Sequence, residues 1–477
     1  MKTVIVTSLL LSATISASAQ SAGEYLERIR DNSAALTAFF SAMPKGGDLH
    51  HHYTGSVYTE TYINRVVANK FYIHDSSFIV VRDKSKDPGK HWKRFDQVSK
   101  DSLNYFKQQL VQKWSVKDYN GVSYPSDLQF FETFGYFGVT SNDSLKQGLQ
   151  ELKDRAIKEN VSYIETMFTS IPCNVDTTAV AGYTQKLRHA QAARDEVAAQ
   201  KLMGDLYNWL LSQNTKTCAR NYNDMLAKLH ADAGMDDDQF TMRYQNYVSR
   251  TAQPLMVFKS LVTAFESTNS SPLLVGVNIV APENNETSMA DYWLHMQMYK
   301  FCHAQYPNVV YSMHAGELVL GIVQPEELTW HIGEAVHTAG AKRIGHGVDI
   351  PYEANSYDLM RYMAENKIAV EINLVSNEFI LKVKNDRHPI SLYKDFGVPI
   401  VISTDDAGVL RTNLIEQYVL LAKRYPEISY RDIKRFVYNS IDYSFIEEPA
   451  VKQKLRNDLR KRFREFEEMV GKVDHLE

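Results

Sequence analysis

One stretch of the sequence decides the fold: Val398-Pro399-Ile400-Val401-Ile402-Ser403-Thr404-Asp405-Asp406. Its apolar part is rich in β-branched residues, which is typical of a buried strand. Two adjacent carboxylates end that strand, and like charges so close together need cations or hydrogen-bond donors to remain ionised. Histidines at the ends of other predicted strands supply such groups: His50 and His52, His314, and His346. The sequence therefore indicates a site assembled where several strands end.

Seven other stretches have strand character, and helical patterns separate most of them. They cover residues 48–53, 161–168, 240–249, 273–280, 309–315, 343–345 and 369–373. Alternation of strands and helices predicts an α/β protein with a parallel sheet. Eight such units predict a (β/α)₈ TIM barrel. A plain barrel needs roughly 250 residues, so a chain of 477 residues must carry helical and loop insertions.

The first residues of the chain have the features of a secretory signal peptide. Lys2 gives a positive start, residues 4–13 are mostly apolar, and Ala17-Ser18-Ala19 fits a cleavage site. The apolar run is shorter than the roughly 20 residues that a membrane span needs. We therefore expect residues 1–19 to be a cleaved signal peptide, with export to the periplasm or the extracellular space and no membrane association.

The remainder is expected to form one large domain. Residues 20–42 have the pattern of a lead-in helix, residues 43–477 carry the barrel, and residues 56–125 form an insertion after the first strand. The formal net charge is −4 and basic residues are spread along the chain, which argues against a nucleic-acid partner. Three cysteines without zinc-type spacing, Cys173, Cys218 and Cys302, allow at most one disulfide bond, and buried free thiols are expected.

The strand-end histidines and acids have the composition of a metal site. In barrels of this type the reactive groups gather at the C-terminal ends of the strands. His50 and His52 are two residues apart on a predicted strand and so share a face, while His51 points away. A mononuclear site needs about three or four nitrogen or oxygen ligands. His50, His52, His314 and Asp405 would supply them.

These residues also carry a resemblance to a known family, the adenosine deaminases. The stretches in question are Met43-Pro44-Lys45-Gly46 with Leu49-His50-His51-His52 and Gly55, then His314-Ala315-Gly316-Glu317, Arg343-Ile344-Gly345-His346-Gly347, and Ser403-Thr404-Asp405-Asp406. The opening stretch, the signal peptide and the insertion resemble the secreted branch of that family, the adenosine-deaminase-related growth factors. The resemblance extends from about Pro44 to Glu448.

The resemblance implies one zinc ion per chain, bound by His50, His52, His314 and Asp405. It implies that Glu317 protonates N1 of the purine and that His346 orients the attacking water and takes its proton. Asp406 would hydrogen-bond N7 of the base. The implied reaction is deamination of adenosine or 2′-deoxyadenosine, a small purine nucleoside, to the inosine-type product and ammonia.

The substrate pocket is less well defined by the sequence. Phe130 and Phe134 belong to an aromatic stripe at helical spacing within residues 127–137, which is either a core helix or the apolar wall of a pocket. Relatives place an acidic residue that contacts ribose where this chain has Tyr53 and Thr54. They place a glycine beside the purine where this chain has Ala281. Ser376-Asn377 and residues 386–389 match further family positions, or else serve in helix capping and turns.

Several alternatives remain open at this stage. The same chemistry could act on another amino-purine, such as adenine, a modified adenosine or a nucleotide. A two-metal hydrolase of amides or phosphoesters would need a bridging lysine or acid on a middle strand, and none is evident. A secreted purine-binding or signalling protein without turnover is a third alternative. A homodimer is compatible with the sequence.

Overall fold

A computed structural model describes residues 20–84, 89, 91–122 and 124–474. The predicted signal peptide, residues 1–19, lies outside the described residues. Within them, no helix is both long enough and apolar enough to cross a membrane.

Eight parallel strands form a closed barrel. They are β1 Gly47–His52, β2 Tyr163–Met167, β3 Thr241–Ser249, β4 Leu274–Val280, β5 Ser312–Ala315, β6 Arg343–His346, β7 Ala369–Ile372 and β8 Ile400–Ile402. β1 to β4 pair in order, and so do β5 to β8. Single parallel bridges join the two halves, between His51 and Asp405 on one side and between Val277 and Tyr311 on the other. The predicted (β/α)₈ TIM barrel is confirmed.

The strands are buried over most of their length because helices cover the barrel on the outside and side chains fill it on the inside. Every residue of β5, β6, β7 and β8 is buried. All eight predicted strands are present, but their ends differ by up to three residues. β5 begins at Ser312 rather than at 309, and β8 begins at Ile400 rather than at 398.

Helices connect the strands, and further helices precede β1 and follow β8. Before β1 lie a helix at residues 20–29 and a second one, Ser33–Ala42. The helices between β1 and β8 are Tyr53–Ser56, Thr59–Ala68, Lys100–Lys113, Ser126–Phe137, Leu145–Lys158, Tyr183–Ala192, Glu196–Ser212, Thr215–Ala233, Pro254–Asn269, Glu286–Ala290, Tyr292–Gln305, His331–Glu334, Ser356–Glu365, Leu374–Leu381 and Ile390–Asp395. After β8 follow Ala407–Leu410, Leu414–Arg424, Tyr430–Asp442 and Pro449–Asp474.

The segment between β1 and β2 contains a small antiparallel sheet beside its helices. The sequence predicts a hairpin at residues 71–81 followed by a charged stretch. The central strand Tyr72–His74 pairs with Val80–Val81, as a hairpin requires, and also with a third strand, Trp92–Arg94, that the prediction missed. The third strand is only half-buried, so it lacks the apolar pattern that would have revealed it.

A disulfide bond joins Cys173 to Cys218, while Cys302 is a buried free thiol. The expectation of free thiols was wrong for the first two cysteines. Cys173 lies in the loop after β2 and Cys218 in the helix Thr215–Ala233, and packing of that helix brings their Cα atoms to 5.4 Å. The sequence contains no local signal for this contact because the two residues are 45 positions apart.

We expect the double substitution Cys173→Ser and Cys218→Ser to lower the free energy of unfolding by about 2–4 kcal/mol, because the bond closes a long loop in the unfolded chain. Denaturant titration of the oxidised protein and of the double variant measures the difference. Wild-type protein under reducing conditions should resemble the variant. Equal unfolding midpoints for all three would contradict a stabilising role of the bond.

Candidate metal centre and active-site pocket

Four side chains converge at the C-terminal end of the barrel. His50 and His52 come from β1, His314 from β5, and Asp405 follows β8. The Nε2 atoms of His52 and His314 are 3.2 Å apart. Asp405 Oδ1 lies 3.3 Å from Nε2 of His52 and 3.7 Å from Nε2 of His50. The structure thus brings together the four residues that the sequence predicts as metal ligands.

These separations fit a single metal ion between the donors. Ligands about 2.0–2.2 Å from a tetrahedral ion are about 3.3–3.6 Å from one another. Nε2 of His50 is buried and has no hydrogen-bond partner among the described residues. A buried imidazole nitrogen without a partner is costly unless something outside the protein satisfies it. Three imidazole nitrogens and one carboxylate oxygen are donors that suit a zinc-type ion.

The far nitrogens of two of the histidines are fixed by hydrogen bonds. His50 Nδ1 lies 2.7 Å from Glu371 Oε2, and His314 Nδ1 lies 2.9 Å from Asn278 Oδ1. Carboxylate and amide oxygens accept, so each Nδ1 carries the proton and each Nε2 lone pair faces the centre. The rings are therefore oriented for metal binding by the protein alone.

Glu371 belongs to a buried charge network inside the barrel. Arg343 donates through Nε to Glu371 Oε1 and through Nη2 to Glu165 Oε1, each at 2.5 Å. Although burial alone would raise it, the charges of Arg343 and His50 bring the pKa of Glu371 down to about 2. Glu165 is thus a buried partner of the same guanidinium group.

Glu317 lies in the loop after β5. The side chain of a second glutamate, Glu283, holds this loop in place. The backbone N–H groups of Gly316 and Glu317 donate to the two carboxylate oxygens of Glu283, at 3.2 and 3.0 Å. Burial, together with the charges of Asp405 and Glu283, raises the pKa of Glu317 well above its usual value. Nε2 of His346 is 3.6 Å from Glu317 Oε1. Glu317 is thus a buried carboxyl group placed to hold a proton beside the centre.

Three non-glycine residues of the site adopt left-handed backbone angles. The φ values are +82° for Ala281, +70° for His346 and +60° for Asp405. Such angles cost roughly 1–3 kcal/mol each and are retained where a site needs them. For Ala281 the angle is one that favours glycine, which the resemblance places at this position. The strain turns the chain sharply at three strand ends that face the same cavity.

Asp406 is positioned by a close approach of the backbone at Gly55. A Cβ atom added to Gly55 would lie 1.6 Å from Asp406 Oδ1 and 2.4 Å from its Cγ. Only glycine leaves room for the carboxyl group. Asp406 is buried, and burial together with the neighbouring charge of Asp405 raises its pKa well above the usual range.

We expect Gly55→Ala to displace Asp406 and to lower kcat by about 10²-fold, since a misplacement of about 1 Å in a catalytic group has that effect. Gly182→Ala is the matched control because nothing lies within 4 Å of its added Cβ. Steady-state kinetics of the two variants, with metal content determined on the same samples, measures the effect. Equal activity of the two would contradict a role for the Asp406 position.

A cavity of about 240 Å³ opens beside the four converging side chains. This volume is slightly below the range of about 300–1,000 Å³ for ligand pockets, so it suits a small ligand. The lining residues are His52, Thr54, Phe130, Phe131, Phe134, Met167, Tyr247, Val280, Ala281, Pro282, His314, Glu317, His346, Asp405 and Asp406. Every residue predicted for catalysis or substrate contact therefore lines one cavity.

The aromatic stripe of the helix Ser126–Phe137 serves both of the purposes that the sequence left open. Phe130, Phe131 and Phe134 face the cavity, whereas Phe137 packs in the core and stacks on Tyr62 at 5.1 Å.

The two residues at the predicted ribose position differ from each other in where their side chains lie. Thr54 lines the cavity, while the ring of Tyr53 is buried against Phe168.

Two of the weaker sequence matches lie directly behind His346. The Asn377 side chain contacts Nδ1 of His346 at 2.9 Å, and Nε2 of His388 contacts Asn377 Oδ1 at 3.1 Å. A helix-capping role for Asn377 is therefore wrong, because its amide is engaged inside the site. His51 contacts the Thr166 hydroxyl at 2.9 Å and points away from the centre, as predicted.

Sequence reasoning missed the residues that support the site from behind. Glu283, Glu371 and Asn278 are acidic or amide side chains on or just after barrel strands, where burial favours apolar residues. That mismatch is the signal that could have found them, since a buried polar group needs a specific partner. Tyr247 and Met167 also line the cavity and lie near the ends of strands that were predicted.

A family model described as adenosine deaminase matches residues 212–462, more than half of the chain. The chain belongs to the adenosine deaminase family. The matched region of this adenosine deaminase family member contains His314, Glu317, His346 and Asp405, and β1 with His50 and His52 precedes it. An adenosine deaminase from Clostridium kluyveri is 28% identical over 212 residues, which is 44% of this chain and 54% of that protein. The chain therefore spans about half the length of this curated relative.

Solved structures of the same fold extend over most of this adenosine deaminase family member. An adenine deaminase from Arthrobacter aurescens has a TM-score of 0.54 at 16% identity and covers 88% of this chain and 98% of its own. An N6-methyl-AMP deaminase from Arabidopsis thaliana has a TM-score of 0.53 at 18% identity and covers 89% and 98%. At these identities the likeness establishes the barrel fold and leaves the substrate open.

Proposed function

We propose that the chain is a zinc-dependent aminohydrolase that deaminates adenosine or 2′-deoxyadenosine to the inosine-type product and ammonia. One observation carries the proposal. The donor atoms of His50, His52, His314 and Asp405 converge at metal-ligand separations beside a cavity that also contains a buried, proton-holding Glu317. Membership of the adenosine deaminase family supports this reaction class.

The residues of the chain have separate tasks in this proposal. His50, His52, His314 and Asp405 would hold a zinc ion, which would supply a Lewis acid able to lower the pKa of water to about 7. Glu317 donates its proton to N1 of the purine as the water oxygen attacks C6. Its raised pKa fits this task because a general acid must be protonated at the working pH. His346 orients the attacking water, and Asp406 hydrogen-bonds N7.

The rest of the cavity binds the base as a flat apolar group. Phe130 and Phe134 form a wall for the ring, and the Ala281 backbone lies at the position that approaches the purine in relatives. Among the described residues that line the cavity there is no lysine or arginine. A phosphate group would therefore lack a cationic partner, which favours a nucleoside over a nucleotide.

A second candidate function has a specific observation in its favour. Thr54, and no carboxylate, occupies the cavity wall at the predicted ribose position. A hydroxyl binds sugar hydroxyls less strongly than a carboxylate does, because hydrogen bonds to charged groups are stronger. In this second candidate the same machinery acts on another amino-purine, such as adenine or a modified adenosine.

We also propose that the protein is exported. The features of a signal peptide at residues 1–19 motivate this, and the Cys173–Cys218 bond is of a kind that persists in oxidising compartments. Membership of the secreted growth-factor-like branch rests on the Met43-Pro44-Lys45-Gly46 opening and the segment after β1. N-terminal sequencing of the secreted protein should find Gln20 as the first residue. Retention of residues 1–19 would contradict the proposal.

The function is tested by ultraviolet absorbance with adenosine, 2′-deoxyadenosine, adenine and AMP, and by metal analysis of the same sample. We expect turnover of a nucleoside, loss of turnover on chelation, recovery with zinc, and about one zinc ion per chain. Preference for adenine or a modified adenosine would support the second candidate. Zinc binding without any turnover would favour a purine-binding or signalling protein, and a protein that binds no metal would overturn both enzymatic proposals.

A further inference from the structure

A chain of three hydrogen bonds leads from a backbone N–H group to His346. The N–H of Ile390 donates to Nδ1 of His388 at 3.2 Å. Nε2 of His388 is 3.1 Å from Oδ1 of Asn377, and Nδ2 of Asn377 is 2.9 Å from Nδ1 of His346. The three side chains are buried. Their contacts are therefore not exchanged for bulk water.

The donor-to-acceptor direction of these three hydrogen bonds is fixed by the one that involves the backbone. A backbone N–H can only donate, so Nδ1 of His388 accepts and carries no proton. The one ring proton of His388 is then on Nε2, which donates to the Asn377 carbonyl oxygen. The Asn377 amide must consequently turn its NH₂ group toward His346. Nδ1 of His346 accepts that bond, so the proton of the neutral ring is on Nε2.

The opposite amide orientation is excluded by the same argument. Turning Asn377 over would place its NH₂ group against the Nε2–H of His388, two donors facing each other. Moving the His388 proton to Nδ1 would instead place that N–H against the backbone N–H of Ile390, again two donors facing each other. Either arrangement leaves a buried donor unsatisfied, at a cost of about 1–3 kcal/mol. One tautomer of His346 is compatible with all three contacts.

The protonated nitrogen of His346 faces the cavity and has no partner of its own. Nε2 is buried without a hydrogen-bond partner among the described residues. It lies 3.6 Å from Glu317 Oε1 and 3.9 Å from Asp405 Oδ2, beyond hydrogen-bond distance of both. A buried N–H that points into a cavity calls for an acceptor that arrives with the reactants.

We propose that His346 presents Nε2–H to the reacting oxygen as a hydrogen-bond donor, and that Asn377 and His388 are positioning residues that set this tautomer. The inference rests on the proposed deaminase function. It replaces the role implied by the resemblance, in which His346 accepts the proton of the water. That proton would instead leave to solvent before the attack, because a bound zinc ion would lower the pKa of the water to about 7. The bonds made and broken at the purine are unchanged. The inference concerns which atom of His346 carries its proton.

Two substitutions at Asn377 would separate the donor role from the acceptor role. In Asn377→Asp the carboxylate can only accept, so it takes the proton of His346 Nδ1 and leaves Nε2 as a lone pair. A donor role predicts a fall in kcat of about 10²-fold or more, with KM changed less than about threefold; a wrong histidine tautomer in the serine-protease triad costs about 10⁴-fold. An acceptor role predicts that Asn377→Asp keeps or gains activity. Asn377→Gln retains both amide groups and should recover more of the activity than Asn377→Asp does.

The tautomer itself is read by long-range ¹H–¹⁵N correlation spectra of the zinc-loaded protein labelled at histidine. The His346→Gln variant identifies the His346 signals by their loss. We expect protonated Nε2 and unprotonated Nδ1 in the wild type, and the reverse in Asn377→Asp. A proton on Nδ1, or on both nitrogens, in the wild type overturns the proposal even if the variants do not fold.

Asn457→Asp is the control for a new acidic group, because Asn457 is exposed on the helix Pro449–Asp474, which contributes no residue to the described lining of the cavity. It should change neither kcat nor the spectrum. The spectrum does not depend on turnover, so the two proposals fail separately. A wild type with the expected tautomer and no deaminase activity refutes the function alone. An active wild type with the opposite tautomer refutes only the inference about His346.

Discussion

The Glu317→Gln variant is expected to lower kcat for deamination by about 10²- to 10⁴-fold, the usual contribution of a positioned general acid. Glutamine has the same shape as glutamate but cannot deliver a proton to N1 of the purine. The loop should not move, because Glu283 holds it through the backbone N–H groups of Gly316 and Glu317. The substitution therefore removes the proton and little else.

Steady-state kinetics measures this effect, together with zinc content and thermal unfolding of the same preparation. Glu326→Gln is the control, since Glu326 is an exposed glutamate nine residues further along the chain. It should match the wild type in all three measurements. If Glu317→Gln kept wild-type kcat, another group would have to protonate the purine. If it lost zinc, Glu317 would be supporting the metal centre instead.

The barrel and the converging residues could be predicted because their signals are local. A β-branched run that ends in Asp405-Asp406, or the alternation of His50 and His52, is visible within a few residues. The residue at which a strand begins or ends depends instead on its pairing with neighbouring strands that are distant in sequence. The residues at 309–311, for example, belong to the predicted strand but precede the first residue of β5, Ser312.

The supporting contacts could not be predicted because each joins segments far apart in sequence. Glu371 and His50 are separated by 321 residues, and Glu283 contacts a loop 33 residues further on. No sequence pattern in either segment identifies the segment that it contacts. The sequence could show only that an acid lies in an apolar strand. The Cys173–Cys218 bond escaped prediction for the same reason, since the number of cysteines permits a bond without selecting one.

The position of Glu371 suggests that one buried carboxylate supports both the barrel and the metal centre. Its Oε1 atom binds Arg343 at 2.5 Å and accepts from Ser312 at 3.0 Å, while Oε2 binds His50 at 2.7 Å. We expect Glu371→Gln to lower the free energy of unfolding by about 3–5 kcal/mol, because it leaves a buried guanidinium with one carboxylate fewer. We also expect the affinity for zinc to fall by about 10- to 100-fold, as for other partners of ligand histidines.

Glu165→Gln separates these two effects. Glu165 is the other carboxylate of Arg343, at 2.5 Å, and it contacts Gln245, Tyr163 and the backbone of Phe445 rather than a ligand histidine. Its substitution should destabilise the fold to a similar extent and leave the affinity for zinc unchanged. Chelator competition at a temperature where all variants are folded measures the affinity, and denaturant titration measures the stability. Equal losses of zinc affinity in the two variants would mean that the barrel network as a whole, and not the hydrogen bond from His50 to Glu371, prepares the metal centre.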